Sequence, residues 1–110
     1  MRRLSEGEVT KALEGLPGWE RSGEMLERSF QFQEFMEAVC FVNAAAVLAE
    51  EMAHHPDMNI RYSKVRIMLT THDAGGLSEL DVAFAQRLEE YLSASAPENE
   101  MKTGSMVLRR

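Results

Sequence analysis

The sequence predicts an α+β fold, a two-layer sandwich whose four-stranded antiparallel sheet carries its helices on one face in the order α-β-β-α-β-β-α. Three observations carry this prediction. Apolar residues recur at helical spacing in three segments, apolar and polar residues alternate in the stretches between them, and Gly, Pro and Ser signals punctuate the joints. With 110 residues, 45% of them hydrophobic, the chain can fill one core and not two. Residues 1–94 are therefore expected to form a single domain, and the polar stretch 95–110 to be a mobile or loosely packed tail.

The first helix starts at Ser5, whose spacing to Glu8 is that of a capping box, and Val9, Ala12, Leu13 and Leu16 follow at helical spacing until "GLPGW" stops it. From Trp19 to Phe32 the pattern alternates, with Leu26, Phe30 and Phe32 on one face and "RSGE" as the turn of a hairpin. Helical spacing returns from Gln33 to His54. Pro56 pushes His55 out of the helical region, so this helix should end at about the histidine pair. Strands over Met58–Tyr62 and Val65–Thr71 follow, joined through Ser63 and Lys64. The last helix begins at Ser78, which forms a second S-x-x-[DE] cap with Asp81, and carries Val82, Phe84, Ala85, Leu88, Tyr91 and Leu92.

The net charge of −6, with Lys and Arg scattered, argues against a general nucleic-acid or anionic-membrane surface. The lone Cys40, flanked by Val39 and Phe41, reads as a packed thiol in a reducing compartment. No apolar run approaches the length of a membrane span and "MRRLSEGEV" lacks a signal-peptide core, so a cytoplasmic location is expected.

The central helix has no charge from Ala38 to Ala49 and shows two apolar stripes, Phe35, Val39, Val42, Ala46, Ala49 and Phe41, Ala44, Ala45, Leu48, Met52. A sheet buries only one of them. The second, around Ala44, Ala45 and Leu48, is expected to contact another copy of the chain, giving a homo-oligomer.

The chain has three histidines, two of them adjacent where the central helix must stop. On a continuous helix Glu50 would lie four residues before His54, able to hold its tautomer and charge. His72 follows the last strand, in "THDAGGLSELD", where rigid scaffolds commonly carry functional groups. Spacing leaves three readings: metal ligation with Glu50, Asp57 or Asp81, which lacks an H-x-H or H-x-x-x-H pattern; structural capping; and acid–base catalysis by imidazoles set by carboxylates.

The run Glu50-x-x-x-His54-His55-Pro56, with Tyr62, Lys64 and Val65, then Thr71-His72, Gly76-Leu77-Ser78 and Asp81, resembles the signature of the pterin-4a-carbinolamine dehydratases, and the likeness extends from the first helix to about residue 94. The resemblance implies that a 4a-hydroxytetrahydropterin, made when an aromatic amino acid hydroxylase uses its pterin, loses water to give quinonoid dihydropterin in tetrahydrobiopterin recycling. It implies no cofactor and no metal, because the pterin's own electrons expel the water. His54, His55 and His72 resemble the family's active-site histidines. We assign His54 and His72 as the proton-transfer pair, with His55 positioning the pterin and standing as an alternative candidate for the base. Glu50 and Asp81 would orient the imidazoles, and Thr70, Thr71, Pro56 and Met58 would line the pterin site. Met58 stands where the family commonly has tryptophan, and Ala53 where relatives often have a polar residue. A dimer or tetramer is implied, with no direct nucleic-acid or membrane contact. Animal relatives also act as dimerisation cofactors of a homeodomain transcription factor, so a protein-binding coactivator is the alternative function.

Overall fold

The computed structural model describes Arg2 to Ser95, and the expectation of a tail over 95–110 falls almost wholly outside these residues. Helix α1 (Glu6–Glu14) opens with the expected capping box: Ser5 Oγ accepts from Glu8 N–H, and the Glu8 carboxylate accepts from Ser5 N–H at 2.7 Å. Strands β1 (Glu20–Ser22) and β2 (Met25–Gln31) form the hairpin, closed by Gly23 and Glu24. Gly23 sits at φ 61°, a left-handed conformation that glycine adopts freely. Helix α2 (Phe35–Met52), strands β3 (Asp57–Arg61) and β4 (Lys64–Leu69) and helix α3 (Glu79–Ser95) complete the expected order. A short 3-10 turn over His72–Ala74 precedes α3. The β3–β4 turn is Tyr62–Ser63, one residue earlier than expected, and Tyr62 takes the left-handed conformation at φ 56°.

The sheet is antiparallel throughout, in the order β1-β2-β4-β3. Alternation puts Leu26, Phe30, Val65, Ile67 and Leu69 on the helix side, where they are buried with Phe41, Leu77, Phe84 and Leu88. The other face is polar, with Arg66 paired to Glu27. The "LPGW" loop is tied to α3, since Trp19 Nε1 donates to Glu89 Oε2 at 2.8 Å.

Two expectations about α2 are corrected. The face turned to the core is Ala38, Phe41, Ala45, Leu48 and Ala49, so of the expected subunit contact Ala45 and Leu48 are buried within the chain and Ala44 is half-buried. The sheet is narrow, and only the stripe holding the bulky Phe41 and Leu48 fits over it. The solvent side of α2 instead carries Phe35, Met36 and Val47. Cys40 lies on that outer side and is exposed rather than packed.

Candidate functional site

The end of α2 determines where the histidines go. The helix stops at Met52, and Ala53 takes the left-handed conformation at φ 52°. His54 N–H then reaches back to Ala49 O at 3.1 Å, a bond that spans five residues and closes the last turn. This reversal breaks the helical i, i+4 relation, so Glu50 does not hold His54 as expected. His54 swings inward and its Nε2 lies 2.6 Å from Asp81 Oδ1, while His55 swings outward and its Nε2 meets Glu50 Oε2 at 2.7 Å.

Asp81 is fully buried in the first turn of α3. Its Oδ2 accepts from Thr71 Oγ1 at 2.8 Å and from Ser78 N–H at 2.9 Å. Ser78 Oγ in turn accepts from Leu80 N–H at 3.2 Å, and the Thr71 and Ser78 hydroxyls are 2.7 Å apart. One carboxylate thus caps a helix, holds the end of β4 and fixes the end of α2. A burial this complete is tolerable for a carboxylate because every oxygen has a donor. With Asp81 accepting, His54 Nε2 is the donor of this bond. The His54 ring stands edge-on to Phe84, with centroids 6.4 Å apart, and is only 8% exposed.

The remaining expected residues divide by environment. His55 and Glu50 form an exposed pair. His72, one residue past Thr71, is exposed in the 3-10 turn. Thr71↔Gly76 forms an isolated bridge that closes this loop. The Thr70 hydroxyl donates to Glu24 O at 2.6 Å, so the hydroxyls of Thr70 and Thr71 are both engaged within the protein, and the Thr71 N–H and C=O are taken up by the bridge to Gly76. Pro56 is half-buried between His55 and β3. Met58 pairs with Ile67 across β3 and β4, points to the helix side and is partly buried against the core. Among the described residues no three His, Cys, Asp or Glu side chains are grouped as a metal ion would require, and no helix is long and apolar enough to cross a membrane.

Sequence reasoning singled out these residues and the Ser78–Asp81 cap, but not the bonds from His54 and Thr71 to Asp81. These two contacts run across 27 and 10 residues of chain, and no local pattern encodes them.

A groove of about 310 Å³ lies elsewhere, between α2 and α3, lined by Ala44, Val47, Leu48, Glu51, Arg87, Leu88, Glu90 and Tyr91, with none of the histidines in it.

The profile of the family described as Pterin 4 alpha carbinolamine dehydratase matches residues 2–91. A protein of Thermomicrobium roseum, assigned by name to the pterin-4-alpha-carbinolamine dehydratases, is 50% identical over 93 residues, covering 84% of this chain and 100% of its own. One of Sulfurisphaera tokodaii, similarly named, is 44% identical over 93 residues with the same coverage. Among solved structures, a transcriptional coactivator/pterin dehydratase from Brucella melitensis superimposes with a TM-score of 0.78 at 37% identity, over 81% of this chain and 97% of that one. A pterin dehydratase-like protein identified as a RuBisCO assembly factor in the alpha-carboxysome gives a TM-score of 0.60 at 30% identity, over 71% and 93%.

Proposed function

Because the chain belongs to the pterin-4-alpha-carbinolamine dehydratase family, we propose that it converts a 4a-hydroxytetrahydropterin to a dihydropterin and water by histidine acid–base catalysis, within tetrahydrobiopterin recycling. The observation that carries this reading is the anchoring of His54 on buried Asp81 at the joint of α2, β4 and α3, with exposed imidazoles following directly at His55 and one residue beyond Thr71 at His72.

The chemistry asks for an acid at the departing C4a hydroxyl and a base at the N5 proton, two jobs that imidazoles perform near neutral pH. Exposure changes the division of roles expected from sequence. His54 has its Nε2 committed to Asp81 and little open surface, so we assign proton transfer to His55 and His72, with His54 as the anchor from which His55 projects. Glu50, on His55 Nε2, orients that ring. Met58 and Pro56 supply apolar wall, and the backbone at Thr70 faces the pterin ring, while Thr71, bonded to Gly76 and Asp81, holds the loop behind it. Residues 1–94 act as one catalytic domain in the cytoplasm, linked in metabolism to an aromatic amino acid hydroxylase. The exposed Phe35, Met36 and Val47 on α2 are the surface we assign to a homo-oligomer, dimer or tetramer.

That same surface supports the second reading, a protein-binding coactivator, because one structural relative is named a transcriptional coactivator as well as a pterin dehydratase. The deciding experiment is dehydration kinetics with freshly generated 4a-hydroxytetrahydropterin in the presence of chelator. Acceleration over the uncatalysed rate supports the enzyme. No acceleration, together with stoichiometric capture of one non-self protein, supports the adaptor, and activity lost to chelator and restored by zinc overturns metal-free catalysis.

A further inference from the structure

His72 sits on a six-residue loop whose neck is gripped by parts of the fold remote in sequence. The neck itself is the Thr71–Gly76 bridge, with Thr71 N–H donating to Gly76 O at 3.1 Å and Gly76 N–H to Thr71 O at 3.3 Å. Just outside it, Thr70 Oγ1 donates to Glu24 O in the β1–β2 turn, and Leu4 N–H donates to Leu77 O at 2.8 Å. The Glu24 side chain pairs with Arg3 and lies 3.6 Å from Arg21. These two side chains pack directly on Gly76, where an added Cβ would stand 2.6 Å from Glu24 Oε1 and 2.8 Å from Arg3 Nε. Nothing lies within 4 Å of a Cβ at neighbouring Gly75, so the crowding is confined to the neck.

We propose that Arg3 and Glu24 are positioning residues that clamp the His72 loop at Gly76 and so set where the His72 imidazole meets the substrate. This rests on the reading of His72 as a proton-transfer group. The clamp acts through the loop and not by touching the pterin. A half-exposed ion pair biases a loop by a modest factor, and proton transfer is sensitive to small displacements. The expected loss in kcat is therefore about fivefold for Glu24→Ala or Arg3→Ala, with KM nearly unchanged. Arg3→Lys, which keeps a cation over Glu24, should retain most of the rate.

The test is a double-mutant cycle with two readouts. Glu24→Ala should lower kcat in the otherwise native chain and lower it far less in the His72→Ala background, because the clamp acts on the chemistry chiefly through His72. An equal loss in both backgrounds overturns the proposal. Independently of any substrate, Glu24→Ala should reduce the protection of the Gly76 amide against hydrogen exchange by about fivefold, as loop opening becomes easier. Unchanged protection overturns the clamp even where kcat falls. If the native chain does not dehydrate the pterin, the catalytic reading fails, and the Gly76 amide alone then decides the clamp.

Discussion

His54 Nε2 and Asp81 Oδ1 stand 2.6 Å apart and join the last turn of α2 to the first turn of α3. Neither residue is in the sheet, yet between them they fix two helix ends and, through Thr71, the start of the His72 loop.

Asp81→Ala removes the acceptor for His54 Nε2, Thr71 Oγ1 and Ser78 N–H, all buried. Leaving such donors unpaired costs roughly 1–3 kcal/mol each, so a total loss of roughly 3 kcal/mol or more is expected. At about 4–8 °C per kcal/mol for a domain of this size, thermal unfolding followed by circular dichroism should drop by roughly 12–24 °C. A shift of a few degrees would show that water replaces the carboxylate and that the site is more open than the structure describes.

The exposed histidines should behave in the opposite way. His72→Ala and His55→Ala are each expected to lower turnover by at least about a hundredfold, the lower end of general acid–base effects, with almost no change in thermal stability. His54→Ala should lower stability as well, because it strips Asp81 of a buried partner. Retained turnover with a large stability loss in His72→Ala would make that residue structural.

Much of this was legible beforehand, and the failures share one cause. The Ser5–Glu8 and Ser78–Asp81 caps, the "RSGE" hairpin and the element order are local patterns, and they hold in the structure. Glu50 was expected on His54 because the i, i+4 rule assumes the helix continues; a left-handed Ala53 ends it and hands Glu50 to His55. Likewise, the two stripes of α2 are equally apolar, so only packing against the sheet decides that Ala45 is buried and Cys40 is not.

The burial of Ala45 changes how self-association should be probed. Ala45→Glu places a charge in the core and is expected to unfold the chain. Val47→Glu, on the exposed side of α2, should instead lower the mass measured by sedimentation while leaving the circular dichroism unchanged. A native chain already monomeric at micromolar concentration would remove the assigned oligomer surface.

The amino-terminal cap makes a prediction in pH. The Arg2 guanidinium, and then the Ser5 amide, hold the Glu8 carboxyl below its ordinary 4.5, at about 2. A depressed folded value means the cap contributes fully above 4.5 and is lost as pH falls through about 2. Glu8 is exposed, so the readout is local: the Ser5 amide proton shift should titrate with a midpoint near the depressed value. A midpoint at the ordinary value would show that Arg2 and Ser5 do not hold the carboxylate in solution.

Met58 offers the sharpest test of the substrate. It lies on β3, an edge strand, facing the helix side opposite Ile67. Its thioether packs partly against the core and offers a ligand an apolar wall without a flat face. Met58→Trp should supply that face. Aromatic pairing contributes roughly 0.5–1.5 kcal/mol beyond area burial, which corresponds to about twofold to tenfold tighter binding of a dihydropterin product analogue. The pH dependence of turnover should not move, since no titrating group changes. Equal affinity would mean that position 58 serves the core alone. Weaker binding with an intact fold would mean that the pocket is shaped around methionine, and the search for the substrate would then shift to heterocycles with a narrower ring edge than a pterin.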